Sequence, residues 1–396
     1  MQAITLLGDQ VAPILMFASL LPSSGTLHIL TTTAKQGRAQ HLTAALAMLS
    51  PGLKVSTHIL KNHYDMRSLS AMARKLIAGN GETLVDLTGG TKLMSLALYQ
   101  AVQQTSAKAI YIDSETGVIR DVTDASGHIV SERLPHIPSN VVFRAYGKAA
   151  CDDRRWLPEG LPLLIDYIDN YFQAWCDFFT WFNTSEFKHK YTAAPTGEIH
   201  FQKDLATPHN SHGNLWPAIS TVLSYLKALG WLDYRRVGQT VSIRMQSDAL
   251  LKFLQHGSWL EEYIYPKISG RFQEVRKNVA LYDYDVYAEI AAQGGDIGHV
   301  KANEVDVLIN EYGKMLFLEC KAGYSKSLFS NTAEQIPKLE SVAHKTAGYF
   351  ARIAIVTHRR QDEIPPIFRQ RLQNARIELI CREDLKDLAW RVACML

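Results

Sequence analysis

Three residues in the last third of the chain have the types and spacing that metal-dependent hydrolysis requires: Asp306, Glu319 and Lys321. Two carboxylates that converge on one point are oxygen ligands suited to Mg²⁺ or Mn²⁺. A lysine two residues beyond the second carboxylate points to the same side of a strand. There it can orient or help deprotonate a metal-bound water, or neutralise charge that develops in the transition state. Phosphodiester hydrolysis needs these parts.

The two apolar runs Asn303–Ile309 and Met315–Lys321 predict a β-hairpin whose turn is Tyr312-Gly313, because glycine readily supplies a positive φ. A turn one residue longer or shorter would break the register, so the pairing depends on this turn. With the two-residue turn, the cross-strand partners are Asp306 with Glu319 and Glu304 with Lys321. The alternative interpretation is a strand pair whose alternating charges are solvated and form salt bridges. The apolar neighbours Leu318 and Cys320 favour a site instead.

A second motif, Val85–Lys92, reads as a buried strand, a glycine pair and the start of a helix. Two glycines let a ligand approach the backbone closely, and a helix N-terminus favours phosphate oxygens. The spacing fits neither a Walker A loop nor a GxGxxG fingerprint. The motif therefore predicts an anion or nucleotide site, with a tight turn that binds nothing as the alternative.

The elements around this motif, residues 1–145, alternate short β-type runs with amphipathic stretches. The β-type runs are Ala3–Leu7, Thr26–Thr31, Val55–Ile59, Thr83–Leu87 and Ala109–Ile112. This rhythm predicts a doubly wound α/β domain, in which ligands bind beyond the carboxyl ends of the strands. The candidate ligand-binding residues at those ends are Gly8, Asp9, Gln10, Thr31, Thr88, Gly89, Gly90, Thr91 and Lys92.

Residues 146–248 predict a connector. Leu161–Phe182 has helical apolar spacing, and Tyr191–Asn214 has the composition of a loop. A helix over Leu215–Leu229 followed by a small hairpin has the outline of a winged helix. Nearby arginines make DNA contact one interpretation and a purely structural connector the other: Arg235, Arg236 and Arg244. Residues 249–396 then predict an α/β domain with a helix over Ala249–Tyr265.

Bulk properties are those of a soluble protein of two or three domains: 396 residues, 47% hydrophobic, 20% charged, net charge +3. Neither part of the chain is a basic arm, so composition alone does not indicate nucleic acid. The five scattered cysteines argue against a disulfide framework and a zinc site. With neither a signal peptide nor a membrane span expected, we expect a cytoplasmic protein.

Asp306 followed by Glu319-Cys320-Lys321 resembles the D…ExK core of the PD-(D/E)xK, restriction-endonuclease-like superfamily. Gly257-Ser258-Trp259-Leu260-Glu261 resembles the G-x-W-L-E helix of several branches. The resemblance implies a nuclease that uses Mn²⁺ or Mg²⁺. It implies Glu261 as an accessory ligand, with Glu262 as a substitute, and the backbone carbonyl of Cys320 as another. Gln335 matches a polar position near the substrate phosphates.

The strand–TGGTK–helix motif resembles the CARF domain of CRISPR-associated effectors, together with Gly8-Asp9-Gln10 and Thr31-Thr32-Thr33 after the first two strands. The resemblance implies a homodimer that binds a cyclic oligoadenylate, most often the tetra-adenylate, across its two-fold axis. With the C-terminal motif, the chain resembles the nucleases of type III CRISPR defence that such a ligand activates. Single-stranded DNA and RNA, or nicked duplex DNA, are the implied substrates.

Three alternatives stay open from the sequence. A ligand-responsive transcriptional regulator would use the winged-helix outline, although it has no need of the acid–acid–lysine set. A constitutive restriction-type endonuclease would cut without an adenylate. The N-terminal domain could also degrade its own ligand.

Overall fold

The computed structural model describes residues 1–62, 64–78, 81–113, 116–124, 126–153, 155–183, 192–193, 199–205, 215–322, 332–348 and 351–396. Its N-terminal domain is the predicted α/β fold. Five parallel strands form a sheet with crossover helices, and two antiparallel strands extend one edge in the order β3-β2-β1-β4-β5-β6-β7. The strands are β1 Gln2–Leu6, β2 Thr26–Thr32, β3 Lys54–Leu60, β4 Thr83–Asp86, β5 Lys108–Asp113, β6 Val118–Asp121 and β7 Ile129–Ser131. The helices are α1 Ala12–Ser19, α2 Gln36–Leu49, α3 Met66–Ile77, α4 Lys92–Val102 and α5 Ser139–Ala145.

The connector differs from its sequence prediction in two places. The single helix predicted over Leu161–Phe182 is two helices, because the backbone leaves the helical region at Tyr171 (φ −127°, ψ 40°), so each helix buries its own apolar face. The predicted loop contains strand β10, whose residues alternate buried and exposed; residues 191, 194–198 and 206–214 lie outside the described chain. The elements are α6 Leu161–Asn170, α7 Phe172–Phe182, β9 Thr192–Ala193, β10 Ile199–Asp204, α8 Trp216–Ala228, β11 Leu232–Val237 and β12 Thr240–Met245. The predicted helix and hairpin are α8, β11 and β12, in a sheet ordered β11-β12-β10-β9.

The C-terminal domain has a six-stranded mixed sheet, ordered β17-β16-β15-β14-β13-β8. Its elements are α9 Asp248–His256, α10 Trp259–Ile268, β13 Glu274–Asp283, α11 Tyr284–Ala292, β14 Asn303–Glu311, β15 Lys314–Lys321, α12 Thr332–Ala347, β16 Ala351–Thr357, α13 Pro366–Asn374, β17 Glu378–Ile380 and α14 Leu388–Met395. The helix predicted over Ala249–Tyr265 is divided at Gly257, which has φ +79°. Strand β8, Lys148–Asp152, comes from the predicted connector and pairs antiparallel with β13.

The two faces of this sheet pack against different parts of the chain. One face shares a core with helices α1 and α5 of the N-terminal domain, where the Phe143 and Phe317 rings lie 6.4 Å apart. The other face shares a core with connector helices α6, α7 and α8. The C-terminal sheet is therefore the middle layer of the molecule. No helix in the described part of the chain has the length and apolar character needed to cross a bilayer.

Candidate functional sites

The predicted hairpin and its register are confirmed. Tyr312 (φ 45°) and Gly313 (φ 74°) form the turn, and positive φ at both central residues matches the right-handed twist of the strands. The ladder runs from Glu311 opposite Lys314 to Val307 opposite Leu318. Continued by one step, this register places Asp306 opposite Glu319. Both side chains line one cavity.

That cavity has a volume of about 350 Å³ and lies on the sheet face that is turned toward the N-terminal domain. Strands β14 and β15 form its floor and helix α12 forms one wall. Its charged lining is evenly balanced between three acids and three bases: Glu304, Asp306, Glu319, Arg155, Lys321 and Lys338. The side chain of Gln335, at the start of α12, lies outside the described residues.

Asp306 is held by the backbone of the opposite strand. Its Oδ2 atom accepts a hydrogen bond of 2.6 Å from the Cys320 amide. Burial raises the pKa of Asp306 to about 8, and the nearby carboxylates of Glu319 and Glu261 raise it further. Without a cation, Asp306 therefore retains a proton at neutral pH, and a divalent cation would favour its ionised form.

Lys321 is directed at the same point. Its ammonium group forms an ion pair with the Glu319 carboxylate. Burial disfavours the charged amine, but the neighbouring acids, Glu319 first among them and then Asp306, together outweigh burial and raise the pKa of Lys321 above its ordinary value. Lys321 is therefore a fixed positive charge in this arrangement, which favours charge compensation over proton abstraction.

Helix α10 brings Glu261 to the cluster, as the resemblance to the G-x-W-L-E helix implies. Burial raises the pKa of Glu261 to about 7; Arg155 opposes this shift, and the carboxylates of Glu262 and Glu319 add to it. Arg155 donates to Glu261 over 2.8 Å and also pairs with Glu304. Glu262 forms its ion pair with Lys277 (2.6 Å).

The donor set fits a hard divalent cation, although its members are engaged with protein groups. Within the described residues, no group of three His, Cys, Asp or Glu side chains is arranged to hold a metal ion. Asp306 is bonded to the Cys320 amide, Glu319 to Lys321 and Glu261 to Arg155. Two carboxylates and a backbone carbonyl from one hairpin are nevertheless the oxygen ligands that Mg²⁺ and Mn²⁺ take. Binding would need side-chain rotations that release these partners.

The raised pKa of Asp306 predicts a pH-dependent stability in metal-free buffer. The folded protein holds this proton to about pH 8, whereas the unfolded chain releases it near the ordinary carboxyl pKa of 3.8. The contribution to the free energy of unfolding is therefore full below pH 3.8 and is lost as the pH rises to 8. We expect Asp306→Asn to gain stability relative to wild type between pH 5 and pH 8, measured by urea denaturation with EDTA. A pH-independent difference would contradict the shift.

The N-terminal glycine motif is built around close backbone packing. A Cβ atom at Gly89 would overlap the Leu6 carbonyl oxygen, and one at Gly8 would lie 3.0 Å from the Gly90 amide nitrogen. The loops that follow β1 and β4 therefore touch, so their glycines are required by packing whether or not a ligand binds. The two loops form one surface at the carboxyl end of the sheet.

The polar members of this motif divide into structural and exposed groups. Thr88 accepts from the Ile112 amide (2.8 Å), and Thr91 caps α4 by accepting from Met94 (3.3 Å). The sequence predicted that Thr31, at the end of β2, lines the ligand-binding surface. Thr31 is fully buried, so its side chain does not line that surface. Asp9 and Lys92 are exposed.

Two contacts join the first ligand loop to the C-terminal domain. The Tyr146 hydroxyl donates to Gln10 over 3.1 Å, and a Cβ atom at Gly348, just after α12, would overlap both groups. Helix α1, which follows the loop, carries Met16 to within 2.5 Å of a Cβ position at Gly313 in the catalytic hairpin turn. Gln10 of the loop therefore contacts the residue that follows α12, and α1, the helix that follows the loop, contacts the turn of the hairpin.

Sequence reasoning missed three cations at these sites. Lys35 and Arg38 both form ion pairs with Asp9, and the Arg38–Asp9 distance is 3.0 Å. Arg155 bridges Glu261 and Glu304. Lys35 and Arg38 directly follow the Thr31-Thr32-Thr33 strand end, which was a usable signal. Arg155 lies more than 100 residues from its partners in sequence, so no local pattern could have identified it.

Residues 3–132 match the family model described as the Card1 CARF domain, and residues 248–393 match the one described as the Card1-like endonuclease domain. The solved structure of Can2 from Sulfobacillus thermosulfidooxidans in complex with cyclic tetra-adenylate has a TM-score of 0.68 at 19% identity, over 99% of this chain and 98% of that chain. Protein VC1899 from Vibrio cholerae also has a TM-score of 0.68, at 14% identity, over 99% and 96% of the two chains. At these identities the structural likeness shows the fold alone. A comparison with curated proteins gives no match.

Proposed function

The chain belongs to the CARF-domain nucleases, with a Card1-type CARF domain and a Card1-like endonuclease domain, and from that premise we propose its activator, its cofactor and its chemistry. It is a cyclic-oligoadenylate-activated nuclease of type III CRISPR defence. The observation that carries the proposal is the convergence of Asp306, Glu319 and Lys321 on one cavity, with Gln10 of the CARF loop in contact with Gly348 at the end of the cavity helix α12. The winged-helix regulator is not favoured.

We propose that Asp306, Glu319, the Cys320 carbonyl and Glu261 hold Mn²⁺ or Mg²⁺. Such a cation, when bound, lowers the pKa of a coordinated water and stabilises the negative charge of the scissile phosphate. The raised pKa values of Asp306 and Glu261 support this assignment, because buried acids close together are destabilised as anions until a positive charge joins them. Lys321 supplies a further positive charge beside the developing pentavalent phosphorus.

The activator is proposed to be cyclic tetra-adenylate, bound by the loops after β1 and β4 across a homodimer. The Can2 structure with that ligand supports the ring size, and the exposed Lys92 at the start of α4 supports phosphate binding. A ligand that reorders Gly8-Asp9-Gln10 acts directly on Tyr146 and Gly348, and acts on the hairpin turn through Met16 of α1. The activation can be no larger than the ligand's preference for the active arrangement.

Cleavage of fluorescent single-stranded DNA and RNA reporters tests this function. The purified protein is incubated with Mn²⁺, with and without cyclic tetra-adenylate. We expect cleavage only when both are present. Cleavage without the adenylate would support the nuclease activity and contradict its activation by the adenylate. A protein that stays inactive with every ring size and with both Mg²⁺ and Mn²⁺ would contradict the proposal.

Lys92→Ala is expected to raise the half-maximal concentration of activator about tenfold, because it removes one charge-assisted contact, worth roughly 1.5–3 kcal/mol. The maximal cleavage rate should not change. Lys54→Ala is the matched control, since Lys54 is exposed at the start of β3, the opposite end of the sheet. Equal activation curves for wild type and Lys92→Ala would exclude this lysine from the ligand site.

A further inference from the structure

A second cavity, of about 760 Å³, lies on the other side of the C-terminal domain from the N-terminal domain. Helices α6 and α7 form one side and α10 forms the base. The segments after β16 and β17 form the remaining side. We call it the basic cleft, and its lining residues are Asp169, Phe172, Gln173, Tyr263, Lys267, Arg360, Arg382, Glu383, Leu385 and Lys386.

The basic cleft differs from the catalytic cavity in charge. It has four cations, Lys267, Arg360, Arg382 and Lys386, against the two carboxylates of Asp169 and Glu383. The catalytic cavity has three of each sign, and Glu261 adjoins it as a fourth acid. Asp362, which pairs with Arg360 over 3.0 Å, adjoins the basic cleft in the same way as a third acid. A polyanion therefore meets a net charge of −1 at the catalytic cavity and of +1 at the basic cleft.

The basic cleft is at the same end of the sheet as the catalytic lysine. Strands β15, β16 and β17 are parallel, and Thr357 at the end of β16 pairs with Lys321 and donates to its carbonyl over 2.8 Å. Arg360 follows three residues later. The Arg382 amide donates to the Arg359 carbonyl over 2.9 Å, which fixes the loop after β17 beside the loop after β16.

Helix α10 links the two sites directly. It carries Glu261 toward the catalytic carboxylates and Lys267 into the basic cleft, six residues further on. That separation corresponds to about 9 Å along a helix axis. The two sites lie on opposite faces of the sheet, so a nucleic-acid strand contacts both where it passes around the carboxyl ends of β15 and β16.

Aromatic rings hold two of the cations in place. The Arg382 guanidinium lies 5.5 Å from the Phe172 ring, which is stacked on Tyr263 with 5.2 Å between ring centroids. The Lys267 amine lies 4.5 Å from the Tyr263 ring and 2.6 Å from Asp169. Cations fixed in this way lose less side-chain freedom when they bind a phosphate.

We infer that the basic cleft binds backbone phosphates of the nucleic-acid substrate next to the scissile bond, an inference that rests on the proposed nuclease function. Recognition is through charge and is independent of base sequence. The cleft supplies the electrostatic attraction that the balanced catalytic cavity lacks. It is a substrate subsite and takes no part in the chemistry.

The test is the salt dependence of binding by fluorescence anisotropy, with a labelled single-stranded DNA, cyclic tetra-adenylate and Mn²⁺, in the uncleaving Glu319→Gln background. We expect Arg360→Ala/Arg382→Ala to raise Kd about tenfold. The slope of log Kd against log salt should fall by about 1.4, because each single-strand phosphate contact contributes about 0.7. The charge-conserving Arg360→Lys/Arg382→Lys should keep most of the slope.

The matched control is Arg271→Ala/Arg352→Ala, which removes the same charge at the opposite end of the sheet, where β13 and β16 begin. An unchanged Kd and slope in Arg360→Ala/Arg382→Ala would overturn the inference. An equal change in the control would also overturn it, since the effect would then be one of bulk charge. The parent protein with Glu319 intact is assayed for cleavage in parallel: no activated cleavage contradicts the proposed nuclease, whereas cleavage with unchanged binding contradicts the subsite alone.

Discussion

Glu319→Gln is expected to lower the activated cleavage rate by about a thousandfold or more, with no change in activator affinity. The substitution keeps the size of the side chain and removes its charge. A glutamine cannot neutralise a divalent cation, and it cannot form the ion pair that orients Lys321 and raises the pKa of that lysine. Loss of one metal ligand and of the lysine's orientation together costs several kcal/mol in the transition state. Initial rates at saturating adenylate give the effect.

Glu378→Gln is the control for this substitution. Glu378 is an exposed carboxylate at the start of β17 in the same sheet, so its loss changes the net charge equally without touching the cavity. Its cleavage rate should equal that of wild type. A Glu319→Gln protein that retains a tenth or more of the activity would move the catalytic site away from this hairpin.

Trp259→Ala is expected to lower the free energy of unfolding by about 3–5 kcal/mol. Trp259 is fully buried at the start of α10 and packs its ring edge-on against Trp175 and Phe179, with centroids 5.6 and 5.5 Å away. Alanine would leave a cavity between α7 and α10 that these rigid rings cannot fill. Urea denaturation of the whole protein measures the loss.

The loss in the free energy of unfolding should depend on the burial of the tryptophan and not on its residue type. Trp390→Ala on α14 removes a tryptophan that is 65% exposed, and we expect it to change the free energy of unfolding by less than about 0.5 kcal/mol. Trp259→Phe should lie between the two, because it keeps most of the buried volume. Equal losses for both alanine variants would contradict the packing shown for α10.

The β14–β15 hairpin could be predicted from sequence because its information is local. A two-residue turn with glycine fixes the register, and the period of two then places Asp306 and Glu319 on one face. The parallel sheet of the N-terminal domain was predictable for the same reason, since apolar runs and helical stretches alternate regularly.

Features that depend on distant parts of the chain could not be predicted. Arg155 reaches Glu261 and Glu304 only after β8 has joined the C-terminal sheet, and nothing in Lys148–Asp152 indicates that partner. Thr31 was expected at the ligand surface because it ends β2, but packing buries it completely. The break at Tyr171 is likewise imposed by two apolar faces that must meet different neighbours.

The core shared by α1, α5 and the C-terminal sheet limits how the domains of this protein can be recombined by engineering. A recombination junction after residue 145 would cut one core in two and expose Phe143 and Phe317 to water at the break. An N-terminal domain joined to a different C-terminal domain needs an apolar sheet face that covers α5. Either that face is transferred with the N-terminal domain, or the new domain must supply one of matching shape. Sensor and effector of this protein are therefore best exchanged together, as one folding unit.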